Sequence, residues 1–157
     1  MVDLATSLVL GRVVEVEISD RGLRAKLQRL DYPDGVITDW LQVASLMAGP
    51  EVGTVFAPEE GDLAVVAFSA AQPSILGFLT GGEIGAATAE LNERVIASRD
   101  KNMLVLIDGE HSGITIKDSN GNQIVMNADG ISIQSSGEIT LEASGKTAIK
   151  GATVELN

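Results

Sequence analysis

Through about Leu79, apolar and polar positions alternate in short β-branched runs separated by turn residues. Leu8–Ile18 and Leu23–Leu30 read as strands, with Asp20-Arg21-Gly22 turning the chain between them. Trp40–Leu46, Leu63–Phe68 and Ile75–Leu79 supply three more. Asp31-Tyr32-Pro33-Asp34-Gly35 is a loop, and Pro50, Pro58, Gly61-Asp62 and Pro73 punctuate the rest. Strands this short and this closely spaced predict a small closed or nearly closed β-barrel over residues 1–81. An OB-fold fits that size, with another small barrel as the alternative.

From Gly82 to about Arg99 no apolar face is sustained, and residues 82–101 are expected to be a linker; Gly81-Gly82 reads as the exit from the barrel. Beyond it, over residues 102–157, apolar residues come in i, i+2 pairs: Leu104/Leu106, Ile114/Ile116, Ile124/Met126, Ile131/Ile133, Ile139/Leu141, Thr147/Ile149 and Val154/Leu156. First members recur every 7 to 10 residues, and Gly113, Gly121, Gly137 and Gly145 fall on a register of eight with Asp129-Gly130 at the missing position. A repeat of this kind outranks local signals. Each unit offers two inward apolar side chains and then a Gly, Asn or Ser turn, which is too little to enclose a core within one chain. A ribbon with an apolar stripe and free edges is an aggregation hazard, and three copies wound about one axis remove it. A single-chain parallel β-helix needs longer coils. The expectation is therefore an all-β homotrimer: an OB-fold barrel followed by an intertwined triple-stranded β-helix. Its trimer core would be Ile116, Ile124, Met126, Ile131, Ile133, Ile139, Leu141, Ile149, Val154 and Leu156.

Composition narrows the function. Hydrophobic residues make up 45% of the 157, enough for a core, but aromatics are only 3%, so that core is aliphatic. With no cysteine, disulfides, thiolate nucleophiles and Cys-ligated zinc are excluded. A net charge of −11 argues against nucleic acid and anionic membrane surfaces, because binding to phosphate backbones draws on counterion release by a basic face. No signal peptide is readable at Met1-Val2-Asp3-Leu4, and no apolar run is long enough to span a bilayer. Synthesis in the cytoplasm is expected.

Candidate chemistry is sparse. Glu59-Glu60 could be an acid/base pair, yet it lies between Pro58 and Gly61-Asp62, which is turn composition. Asp118-Ser119-Asn120-Gly121-Asn122 resembles a calcium loop, but its glycine is fourth where an EF-hand needs it sixth, and Asn-Gly between strands is a tight-turn signal. His111, the one histidine, could form a ring of three on a trimer axis or be a solvated turn residue. No strand-turn-helix elbow surrounds any serine. Gly81-Gly82 lacks the helix start of a phosphate cradle. Trp40, the sole tryptophan, packs in the barrel or between protomers. No catalytic residue, cofactor or metal is expected.

Several stretches together carry a family resemblance: Trp40-Leu41-Gln42-Val43-Ala44-Ser45; Gly53-Thr54-Val55-Phe56-Ala57-Pro58-Glu59-Glu60-Gly61-Asp62 leading into Val65-Val66-Ala67-Phe68; Gln72-Pro73-Ser74-Ile75-Leu76-Gly77-Phe78-Leu79; and the run from Ile116-Lys117-Asp118 to the end. From about Leu8 onward the chain resembles the central spikes of contractile injection systems, the family of phage baseplate assembly protein V and the VgrG core. The resemblance implies a trimeric OB collar and a β-helical needle beneath a tail tube, assembled into a phage tail or injection particle. It also implies a hub protein at the collar, transient contact with a target envelope, and no enzymatic activity. Many such phage spikes end in a metal-binding His-x-His apex, whereas here His111 lies far from the end and the chain stops at Leu156-Asn157. A blunt end resembles spikes capped by a PAAR-type tip protein, which places its docking face on Val154, Glu155, Leu156 and Asn157. At this length neither the hub domain of VgrG proteins nor the lysozyme domain of some phage spikes fits. Two alternatives stand beside this reading: an OB-fold binding module for oligosaccharide or nucleic acid on a trimerisation stalk, and a trimeric enzyme acting on envelope polymers.

Overall fold

The computed structural model describes residues 7–49, 51–69, 72–80 and 85–155. Its regular elements are all β, and the chain divides into two compact units, residues 1–86 and 87–157.

The first unit is a closed five-stranded barrel. β1 (Ser7–Ser19) and β2 (Gly22–Arg29) form a hairpin, β3 (Leu41–Val43) pairs antiparallel with β2, and a small hairpin of β4 (Ala48–Gly49) and β5 (Val52–Gly53) follows. β6 (Leu63–Phe68) and β7 (Ser74–Leu79) complete it in the order β1-β2-β3-β7-β6, with β3 and β7 parallel and β6 closing on β1. This is the OB arrangement that the strand spacing predicts.

Period-two alternation builds the interior. Val13, Ala25, Leu27, Leu41, Ala64, Val66 and Ile75 are buried, with Val9, Val16, Val43 and Phe68 packed against them. β1 serves two neighbours: residues 7–12 pair with β6, and residues 11–19 pair with β2 across a bulge between Val13 and Glu15. At the shared point, a Cβ on Gly11 would lie 3.0 Å from Leu27 Cβ, so glycine there lets the strand bend tightly over the core.

Trp40 is not in that core. It lies half-buried on the barrel's outer surface, its ring centroid 4.6 Å from Lys26 Nζ and 5.6 Å from Arg24 Cζ. Trp40–Leu46, expected as one strand, forms only β3, because Ser45 Oγ sits between the Met47 carbonyl (2.8 Å) and the Thr54 carbonyl (2.9 Å), sharing its one proton with them. That knot turns the chain into the β4–β5 hairpin. At the end of β2, Arg29 is clamped by Asp31 from the following loop through Nε–Oδ1 (3.0 Å) and Nη2–Oδ2 (2.6 Å), and its guanidinium lies over the rings of Tyr32 and Phe68 at 4.5 and 4.4 Å. The same fork raises the Arg29 pKa and holds the Asp31 carboxyl below its ordinary value.

The second unit is an antiparallel meander of β8 (Glu93–Ala97), β9 (Met103–Ile107), β10 (Gly113–Lys117), β11 (Gln123–Asn127) and β12 (Gly130–Gln134). β8 lies inside the stretch expected as a linker. From Ser135 to Glu155 the described residues form no strand.

Candidate functional site

The cross-strand register puts the apolar pairs on one face of the meander. One row runs Ile96, Leu104, Ile116, Ile124, Ile133; the next runs Arg94, Leu106, Ile114, Met126, Ile131. Directly opposed residues are the closest side-chain neighbours in an antiparallel sheet, so these rows form a continuous apolar strip two residues wide. The sheet's other face carries Val95, Val105, Thr115, Val125 and Ser132 in the matching row, and there Val105 is buried.

The strip is uncovered. Ile131 is 72% exposed and Ile133 63%, while Ile96, Leu106, Ile114 and Ile116 are also exposed. Past β12 the pairs continue without strands, and Leu141 (76%), Ile149 (68%), Ile139 and Val154 lie open to solvent. Soluble monomers rarely present contiguous apolar surface on this scale unless something docks there. Of the expected trimer-core residues, Ile116, Ile124, Met126, Ile131 and Ile133 share the strip. Ile139, Leu141, Ile149 and Val154 lie outside any sheet. Leu156 lies outside the described residues, as does Asn157, which leaves Val154 and Glu155 as the described part of the expected docking end.

The turns explain the irregular spacing. Five-residue strands joined by the five-residue loops 98–102, 108–112 and 118–122 repeat every ten residues, and the two-residue loop 128–129 shortens the last step to seven. The glycine register of eight is not a structural repeat here: Gly113 begins a strand, whereas Gly121 sits in a loop at φ 92°. These loop lengths make hairpins, so strands β8 to β12 pair antiparallel with their neighbours in the same chain.

Arg94 and Ile96 were missed as members of the pattern, although they stand one ten-residue step before Leu104 and Leu106. The charge at the first position hid the pair. Arg94 is accommodated at the sheet's rim by an ion pair to Asp108 of 2.8 Å.

The residues considered for chemistry lie in turns. Glu59 and Glu60 belong to the bend before β6, where the Asp62 amide donates to the Glu59 carbonyl (3.1 Å) and the Glu59 amide donates to Asp62 Oδ2 (2.9 Å). Asp118 accepts from the amides of Asn120 (2.8 Å) and Asn122 (2.9 Å) and from Asn122 Nδ2 (2.7 Å), so its oxygens hold a turn together. Those bonds, the Asn122 side chain first, lower its pKa. His111 is exposed in the β9–β10 loop. Among the described residues no group of three or more His, Cys, Asp or Glu is placed to hold a metal ion.

A second apolar patch lies on the barrel. The β4–β5 hairpin and its flanks expose Leu46 (91%), Met47, Val52, Val55 and Phe56, which with Phe78 border a concavity of about 710 Å³.

An OB barrel joined to a sheet with one uncovered apolar face defines a β-protein built to assemble. Two family models match in tandem and account for nearly the whole chain. Residues 9–82 match the Type VI secretion system/phage-baseplate injector OB domain, and residues 93–157 match the phage baseplate V C-terminal trimerisation domain. The chain belongs to the phage baseplate V family of spike proteins. No curated protein matches it.

Proposed function

We propose that the chain is the central spike of a contractile injection machine, working as a homotrimer without enzymatic activity. The observation that carries this is the uncovered apolar strip and its continuation past Gln134, where apolar pairs persist but the described residues form no strand. Membership of a family with a C-terminal trimerisation domain supplies the stoichiometry. In this reading three strips meet on the axis. The segment after β12 winds with its two copies into a triple-stranded β-helix, in which each open edge gains a partner. Loops of hairpin length then end where intermolecular winding begins.

The blunt end, Val154 to Asn157, docks a PAAR-type tip protein. The hub protein seats on the barrel's apolar patch around Leu46, Val55 and Phe56, below the tail tube and baseplate. On contraction the needle is driven through the target envelope. A needle locked by mutual strand pairing resists unfolding through a high kinetic barrier.

Quantitative mass spectrometry of purified particles tests the placement. Three copies per particle, retained after the sheath is stripped from the tube, are expected. A copy number rising with tail length would place the chain in the tube or sheath and end the spike reading.

A further inference from the structure

The outer surface of the barrel changes character along a single strand. Where β1 pairs with β2 the outward residues are charged: Glu15 and Glu17 stand opposite Lys26 and Arg24 and form ion pairs with them, at 2.7 Å for Glu15 and Lys26. Where β1 pairs with β6 the outward residues are apolar: Leu8 stands opposite Ala67, and Leu10 opposite Val65. Leu63 of β6 extends this wall, with Leu79 of β7 opposite it. The change falls near Gly11, where β1 passes from one neighbour to the other.

The composition of this wall calls for a cover. β6 is apolar on both sides: Ala64 and Val66 fill the barrel, while Leu63, Val65 and Ala67 alternate with them on the outside. An antiparallel strand with one wet face alternates apolar with polar, as β2 does with Leu23, Arg24, Ala25, Lys26 and Leu27; an unbroken apolar run is the mark of a strand packed on both faces. Yet Leu8 is 66% exposed, Leu10 40% and Leu79 42%, and Leu63, Val65 and Ala67 are only half-buried. Arg12, the one charge in these rows, donates through Nη1 to the Gly61 carbonyl of its own chain (2.8 Å). The hub seat proposed above, on the β4–β5 hairpin, does not use this wall.

The occupant that fits is a second copy of the chain. We propose that the three barrels of the homotrimer pack on one another through this wall, around the three-fold axis, so that the collar is a trimer contact in its own right. The inference rests on the trimer of the spike reading. The C-terminal trimerisation domain brings three chains together, and the connecting residues 80–92 span at most about 50 Å even fully extended, so each barrel meets the other two at an effective concentration of about millimolar. Like charge opposes the approach of copies carrying −11 each, except through a face that holds no carboxylate. The wall's few side chains also fall well short of the roughly 20–30 residues a side of a free-standing interface. A partner arriving from solution finds too little surface there, whereas a tethered copy needs no more.

The chain has no cysteine, so single substitutions report on the contact cleanly. Leu10→Cys and Ala67→Cys lie on the wall, and Glu15→Cys on the charged side is the control. The full-length variants, checked for folding by circular dichroism, would be treated at micromolar concentration with a short bismaleimide and run on denaturing gels, with native mass spectrometry of the untreated samples. Residues beside a three-fold axis meet their own equivalents, and one cysteine per chain can join two chains of three. At least one wall variant is therefore expected to give a dimer band holding up to about two-thirds of the chain, and Glu15→Cys none above the cysteine-free parent. A trimer in which neither wall cysteine crosslinks overturns the inference and leaves the spike reading standing. Crosslinking of Glu15→Cys to the same extent overturns it as well, and a monomeric parent ends both.

Discussion

Ile116 and Ile124 stand directly opposite one another across β10 and β11, with Leu104 facing Ile116 from the other side and Ile133 facing Ile124. Every member of this row is apolar, and the exposed ones leave a surface of the kind that marks an interaction site. The proposed assembly, needle and collar all rest on that row.

A charge placed in the row should abolish assembly. Ile133→Asp puts three carboxylates into a dry centre, at several kcal/mol each, and should leave no soluble trimer by light scattering. Ser132→Asp, one residue away on the sheet's other face, should leave the trimer intact. Loss of the trimer in both variants would mean that the strip is not the contact.

Gly113 should tolerate no side chain. A Cβ there would lie 2.5 Å from the Met126 carbonyl oxygen, an obstacle of backbone that cannot swing aside, whereas a Cβ on Gly77 meets nothing within 4 Å. Gly113→Ala is expected to cost about 1–3 kcal/mol and Gly77→Ala about 0.5 kcal/mol or less, read as thermal midpoints. Equal midpoints would show that β10 and β11 are not in the described register.

Of the fold, the barrel was the most legible. Leu63–Phe68 forms as expected, and the alternation of Ala64 and Val66, like that of Ala25 and Leu27, places the core correctly. The β4–β5 hairpin was not legible, because its strands are two residues long and its geometry rests on Ser45 Oγ and on Glu51 at φ 57°. In the C-terminal half, the i, i+2 pairs identified which side chains share a face, but not whether successive strands wind or fold back. Loop length decides that, and averaging steps of ten and seven toward eight concealed it. β8 escaped because Arg94 occupies an apolar position of the pattern.

Acid should loosen the β10–β11 turn. The Asp118 carboxyl has its pKa lowered, chiefly by the Asn122 side chain, so its contribution is present above the ordinary carboxylate range and is lost as pH falls through the lowered value. Asp118→Asn should therefore unfold at lower denaturant than the parent at neutral pH, with the gap closing in strong acid. A gap independent of pH would mean that the carboxylate's charge plays no part in the turn.

Arg29 and Asp31 make the corresponding test on the barrel. Arg29→Met removes the guanidinium and with it the fork to Asp31, and the Asp31 carboxyl should then titrate closer to its ordinary value. Carboxyl NMR signals followed through an acid titration would show this. An unchanged low Asp31 midpoint in the variant would place its stabilisation elsewhere.

Native mass spectrometry of the purified chain at micromolar concentration addresses the central claim most directly. The account predicts a dominant species at three times the 16.4 kDa chain mass that survives dilution. A folded, well-dispersed monomer under the same conditions would show that the apolar strip needs no partner, and would contradict it.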